Sequence, residues 1–166
     1  MRDGRLRGMP DLTHADSVVV AVGPEELYDL VSDVTRTGEW SPVCVACWWD
    51  EGASGRVGDW FTGRNVTPDR TWETRSVVAV ADRGREFAWL VGGSRARWGY
   101  TLEPVEGGTR LTESWEFLPD GVAFMTERYG AEEAPAQVAA RVRAAHAGIP
   151  ATLAAIKRVA EGRAGG

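Results

Sequence analysis

The sequence predicts one α+β domain in which a strongly curved antiparallel sheet wraps around a long C-terminal helix. A train of strand-like segments is joined by connections too short for crossover helices, so neighbouring strands must pair antiparallel. The last segment carries one continuous apolar stripe at helical spacing. A chain of 166 residues has room for one such domain.

The N-terminal part predicts one strand followed by two short helices. Residues 16–22 are rich in β-branched side chains and end at a turn formed by Gly23 and Pro24. Pro24 then begins a helix with acidic residues in its first turn, which ends near Asp33. A second helical turn is predicted over 35–40.

The middle of the chain predicts six more strands, separated by clusters of Gly, Pro and Asp. They span 43–49, 59–66, 72–81, 85–91, 95–103 and 109–118. Three of the connections, at 82–84, 92–94 and 106–108, contain residues that tolerate positive φ. Seven strands and one amphipathic helix cannot form a two-sided α/β sandwich, but the sheet can curl around the helix and cover its stripe.

The C-terminal part predicts a looser segment at 119–133 and a long helix at 135–161. The helix is apolar at every third or fourth residue, at Val138, Val142, Ala145, Ile149, Leu153, Ile156 and Ala160. Gly148 and Pro150 interrupt this stripe and predict a kink or a brief break. Small alanines in its middle leave volume between the helix and the sheet.

The folded domain is predicted to span 14–162, between a flexible N-terminal extension at 1–13 and a frayed tail at 163–166. No run approaches the ~20 apolar residues of a membrane span, and the N-terminus lacks the apolar region of a signal peptide. These features predict a cytoplasmic protein with no membrane span. The net charge of -5 and pI near 5.1 argue against nucleic acid as a partner.

The residues that could hold a metal are few. Cys44 and Cys47 lie three apart in a predicted strand, where alternation places their side chains on opposite faces, so no disulfide is expected between them. No second cysteine pair follows, and the histidines are His14 and His146. The sequence therefore predicts no metal site and no cofactor.

Eight tryptophans are the unusual feature of the composition. Alternation along the strands predicts an inward face that carries Phe61, Asn65, Trp72, Phe87, Trp89, Trp98, Tyr100 and Trp115. These rings could simply form a core, but so many cannot easily close-pack against an alanine-rich helix. We therefore expect a cavity for a planar or polycyclic molecule, with a long acyl chain as the competing ligand. Phe124, Met125 and Tyr129 could form a lid over it or dock permanently as a short helix.

Glu113 is the polar residue most suited to chemistry. If it points inward with Leu111 and Trp115, desolvation should raise its pKa and let it act as a general acid or base, or anchor a ligand hydroxyl. The alternative is that it pairs with Arg97 or Arg75, or lies on the solvent face. Asn65 and Tyr100 could orient a carbonyl or phenol by hydrogen bonding.

Several stretches resemble the START/Bet v 1-like helix-grip superfamily, in its SRPBCC branch of polyketide cyclase/dehydrase and lipid-transport proteins. They are PEELYDLVSD at 24–33, WSP at 40–42, FTGRN at 61–65, REFAW at 85–89, GTRLT at 108–112 with Trp115, and IPATLAAIK at 149–157. The resemblance covers roughly 14–162 and implies the helix-grip fold. These stretches are turns, caps and core positions, so they do not select one activity.

The resemblance and the aromatic face together predict a carrier that encloses a small apolar or aromatic molecule. The alternative is an enzyme of the aromatase/cyclase type, in which Glu113, Tyr100 and Asn65 assist enolisation and dehydration of an aromatic polyketide intermediate. A regulator or chaperone acting through a partner protein is a third option, and a homodimer is left open. No serine–histidine–aspartate set or phosphate loop is visible.

Overall fold

A computed structural model describes residues 11–164, so most of the predicted extension at 1–13 and the end of the predicted tail at 163–166 lie outside the described residues. The strands are β1 (Thr13–Val20), β2 (Cys44–Trp49), β3 (Trp60–Thr67), β4 (Arg70–Asp82), β5 (Glu86–Val91), β6 (Ala96–Val105) and β7 (Gly108–Phe117). The helices are α1 (Pro24–Val31), a 3-10 helix (Val34–Glu39) and α2 (Pro119–Ala164).

The seven strands form one antiparallel sheet in the order β1-β7-β6-β5-β4-β3-β2. Consecutive strands from β2 to β7 pair with each other, whereas the first strand, β1, pairs with the last strand, β7. The predicted α+β helix-grip fold, with two short helices after the first strand, is confirmed.

Helix α2 differs from the prediction in two respects. The segment at 119–133, predicted to be looser, is helical, and Met125 on it is buried. The break lies at Gly130, whose φ of 84° and ψ of 159° are not helical, and not at Gly148 or Pro150. Glycine adopts this φ without the steric cost of a Cβ. Proline has a φ that fits a helix, and because it lacks an N–H group it removes only one backbone hydrogen bond. Helix α2 therefore consists of a first segment at 119–129 and a second at 131–164.

The close-packed core lies between the second segment of α2, helix α1 and the β1–β7 side of the sheet. Its fully buried side chains are Val20, Leu27, Phe87, Leu111, Ile149 and Ile156. At 25 cal/mol per Å² of apolar area, burial of side chains of this size is worth roughly 2 kcal/mol each. No helix among residues 11–164 is both long and apolar enough to cross a membrane.

Candidate functional site

A cavity of about 810 Å³ lies between the concave face of the sheet and α2. This volume falls within the range of sites that enclose small molecules. The residues predicted for the inward face and the lid all contribute to its wall: Phe61, Asn65, Trp72, Phe87, Trp89, Trp98, Tyr100, Glu113, Trp115, Phe124, Met125 and Tyr129. Period-two alternation explains these strand positions, because those that share a strand, from β3 to β7, are separated by an even number of residues.

Small side chains on α2 leave space between the helix and the sheet here. The face of α2 that lines the cavity carries Arg141, Ala144, Ala145, Gly148 and Thr152, spaced by one helical turn or less. At Gly148, no atom lies within 4 Å of the place where a Cβ would stand. The cavity volume is therefore a direct consequence of side-chain size on this face.

The aromatic side chains of the cavity wall form two groups of contacting rings. Trp89 lies 6.3 Å from Phe61, 5.8 Å from Phe87 and 5.7 Å from Tyr100, measured between ring centres. On the neighbouring strands, Trp115 lies 6.3 Å from Trp98 and stacks on Phe117 at 6.0 Å. Such contacts are worth about 1 kcal/mol each beyond area burial and hold the rings in place. The wall is thus rigid before any ligand arrives.

Glu113 is buried in this wall, with 4% of its surface exposed. Its Oε2 atom has no hydrogen-bond partner among residues 11–164. Burial raises the pKa of the carboxyl to about 8, because the charged form loses its hydration. The neutral carboxylic acid therefore predominates at pH 7 and can donate a hydrogen bond to a guest molecule.

The two arginines considered as alternative partners of Glu113 have other partners. Arg75 pairs with Asp50 and also donates to Thr62. Arg97 pairs with Glu86 at 3.4 Å. Neither reaches Glu113, and the solvent-face alternative is excluded by its burial.

Tyr100 lies directly opposite Glu113 on the adjacent strand, so the two side chains share one face. It is buried, and burial together with the nearby Glu113 charge raises its pKa well above the ordinary value. The indole of Trp40, at the end of the 3-10 helix, partly opposes this rise by hydrogen bonding. The sequence analysis missed Trp40, whose position depends on how the 3-10 helix docks.

The remaining polar and lid residues have local partners. The amide of Asn65 donates to the hydroxyl of Thr74 on β4 at 3.3 Å. Phe124 lies beneath the guanidinium of Arg95, 3.7 Å from ring centre to carbon. Such cation–π contacts are worth about 1 kcal/mol and fix the first segment of α2 against the β5–β6 turn.

The prediction that Cys44 and Cys47 point to opposite faces is wrong. The register of β2 against β3 shifts between Cys44 and Ala46, a β-bulge that adds one residue and reverses the alternation. Both sulfurs therefore flank Gly63, 3.3 Å and 3.7 Å from where its Cβ would stand. Both cysteines are free, and hydrogen bonding between them lowers the pKa of Cys44 and raises that of Cys47.

Two other kinds of site, a metal site and a surface groove, are weaker candidates for ligand binding than the cavity. Among residues 11–164, no group of three or more His, Cys, Asp or Glu side chains lies close enough to hold a metal ion. A groove of about 480 Å³ runs beside α1, but its charged side chains bind each other: Arg83 bridges Glu25 and Asp29. The internal cavity is the better candidate site, because the buried Oε2 atom of Glu113 on its wall has no hydrogen-bond partner among residues 11–164.

Comparison with known proteins identifies a family. The family model described as polyketide cyclase / dehydrase and lipid transport matches residues 12–161. The solution structure of the polyketide-cyclase-like protein Cgl2372 from Corynebacterium glutamicum is 52% identical and has a TM-score of 0.68, with 92% of this chain and 93% of that chain covered. No match was found among curated proteins.

More distant structures share the fold alone. The di-domain ARO/CYC protein StfQ of the steffimycin biosynthetic pathway is 17% identical with a TM-score of 0.70, and the match covers 93% of this chain and 52% of StfQ. Ara h 8.0201 is 18% identical with a TM-score of 0.59, and the match covers 90% of this chain and 97% of that one.

Proposed function

The chain belongs to the polyketide cyclase / dehydrase and lipid transport family, and on that basis we propose that it binds a small hydrophobic, aromatic or polycyclic molecule in its internal cavity. The observation that carries this proposal is the cavity of about 810 Å³ walled by contacting aromatic rings. A rigid wall of flat rings favours a planar guest over a flexible chain, since a flexible chain loses more conformational entropy on binding.

Titration of the purified protein with planar aromatics should quench tryptophan fluorescence, because Trp89, Trp98 and Trp115 line the cavity. We expect polycyclic phenols and quinones to bind more tightly than fatty acids of similar apolar area. Native mass spectrometry of the protein as purified provides an independent readout of a retained ligand. Absence of both a co-purifying molecule and any quenching across this panel would contradict the proposal.

A second function, cyclisation of an aromatic polyketide intermediate, is favoured by one specific observation. The partnerless carboxyl of Glu113 and the hydroxyl of Tyr100 lie side by side on the cavity wall. A neutral carboxylic acid can give its proton to a ketone oxygen as an enol forms, while the carboxylate that results, or a water molecule, accepts the proton lost from the α carbon. Confinement of a folded poly-β-ketone places the reacting carbons together. Asn65 at the same wall could orient a further carbonyl.

The cyclase hypothesis is tested with Glu113→Gln, assayed on a poly-β-ketone made in situ by a polyketide synthase. Loss of a general acid should slow formation of the cyclised product by about 10²-fold or more. Affinity for a stable planar product should change only a few-fold, since glutamine keeps the shape of the side chain. Equal rates for wild type and variant would remove the assigned role of Glu113, and no rate above the spontaneous reaction would leave only the carrier function.

A further inference from the structure

Three arginines converge on one end of the cavity, around Tyr129. Arg70, Arg128 and Arg141 all contribute to the wall there, and the first two are exposed, so the cavity opens to solvent at this end. Arg70 Nη1 lies 3.5 Å from the Tyr129 hydroxyl, and the Arg128 guanidinium lies 5.6 Å from the Tyr129 ring centre. Arg70 also lies flat on Trp72, 4.0 Å from its ring centre. We call Arg70, Arg128, Tyr129 and Arg141 the arginine mouth.

Arg141 is the member of the arginine mouth that lies on helix α2 and faces the cavity. It lies one turn before Ala145 and two turns before Gly148, on the face of α2 that lines the cavity. The residue is half-buried, and no hydrogen bond or ion pair satisfies it within the described part of the chain. Its burial and the nearby charge of Arg70 lower its pKa, and Tyr129 partly opposes this effect.

Among residues 11–164, no carboxylate forms an ion pair with Arg70, Arg128 or Arg141. Glu73 also lines the cavity but pairs with Arg64 at 3.2 Å. Other arginines of the sheet have acidic partners, as Arg75 and Arg97 do. The arginine mouth is therefore a place on the cavity wall where three arginines have no carboxylate partner among the described residues, and Arg95, which lies over Phe124, is a further unpaired cation of the wall.

Glu113, another polar group of the cavity wall, is an acid and not a cation. Glu113 is a buried acid that forms no ion pair among residues 11–164, so an anionic group placed beside it would be repelled once Glu113 ionises and would have no cationic partner when it does not. A ligand that carries one anionic group is thus oriented, with that group at the arginine mouth and a neutral acceptor at Glu113.

We propose that the ligand is an amphipathic acid. Its carboxylate, or a similar anionic group with several oxygens such as a sulfonate, is held by Arg141 and Arg70 while its aromatic body fills the cavity. This inference rests on the proposed function and names the chemical class of the ligand. Guanidinium groups bind such anions through paired, charge-assisted hydrogen bonds. An acidic partner protein docking on the outside is disfavoured, because Arg141 lies on the cavity-facing side of α2.

Two fluorescent probes test the proposal. 8-Anilinonaphthalene-1-sulfonate and N-phenyl-1-naphthylamine share one aromatic framework and differ by the sulfonate. The wild type should bind the sulfonate about tenfold more tightly, and added salt should weaken only that probe. Arg141→Gln should weaken sulfonate binding about tenfold, leave binding of the neutral probe within about twofold, and not lower the melting temperature. Arg141→Lys should recover part of the sulfonate affinity.

Arg143→Gln is the matched control, since Arg143 lies on the same helix, is exposed and does not line the cavity. Equal affinity for the two probes, unaffected by Arg141→Gln, would overturn the anion site and leave the proposed function standing. Failure of both probes to bind would overturn the anion site and the proposed function together. If sulfonate binding depended on Arg128 but not on Arg141, the anion would bind at the outer surface, as expected for an acidic partner protein. This result would also overturn the proposal.

Discussion

Gly148→Phe is expected to abolish ligand binding while leaving the fold at least as stable as the wild type. Gly148 lies on the cavity face of α2 with open space around the place where its Cβ would stand, so a phenyl ring there enters the cavity. Replacing glycine inside a helix also removes a cost of about 1 kcal/mol. Gly148→Ala should therefore stabilise the protein by up to about this amount and reduce affinity only slightly.

Gly162→Phe provides the control for this experiment. Gly162 lies on the same helix, is exposed, and likewise has no atom within 4 Å of where its Cβ would stand. Probe titration and thermal unfolding of both variants separate occupation of the cavity from general effects of an added ring. Wild-type affinity in Gly148→Phe would show that ligands bind elsewhere and would contradict the proposed function.

The second large effect is a pH dependence of stability that comes from Glu113. Its pKa rises from 4.5, the ordinary value, to about 8 on folding, so the folded state binds the proton more tightly than the unfolded state. Its contribution is fully present below pH 4.5 and is lost as the pH rises through about 8. At 1.36 kcal/mol per pKa unit, the loss is on the order of 5 kcal/mol.

This contribution is measured as the difference in unfolding free energy between wild type and Glu113→Gln. Chemical denaturation at acidic, neutral and alkaline pH should show the wild type losing stability relative to the variant as the pH rises. Glu116→Gln, on the same strand but exposed, should track the wild type at every pH. Parallel pH profiles for wild type and Glu113→Gln would mean that Glu113 is not held in an apolar site.

The strands and the inward face could be predicted because their signals are local. Alternation along β5, β6 and β7 places Trp89, Tyr100 and Trp115 on the concave side irrespective of what packs against them. Short Gly-containing turns exclude crossover connections, which leaves antiparallel pairing as the solution. The predicted fold class is confirmed for these reasons.

The wrong predictions come from backbone irregularities that the residue pattern does not reveal. The bulge in β2 reverses the alternation after Cys44 and brings both thiols to one face. The break in α2 occurs at Gly130 because glycine accepts its positive φ, whereas Pro150 remains within the helix. The place of Arg141 on the cavity wall was also missed, although its spacing from Ala145 and Gly148 is a helical signal.

The sequence alone predicts the α+β class, the faces of the strands and an aromatic site beside an alanine-rich helix. Each of these features depends on neighbours along the chain. Only the tertiary structure decided which charges remain without partners. Arg75 pairs with Asp50 and Arg97 with Glu86, while Glu113 and Arg141 are left to face the cavity. Partner choice depends on distances between segments remote in sequence, and these distances exist only once the sheet has closed around α2.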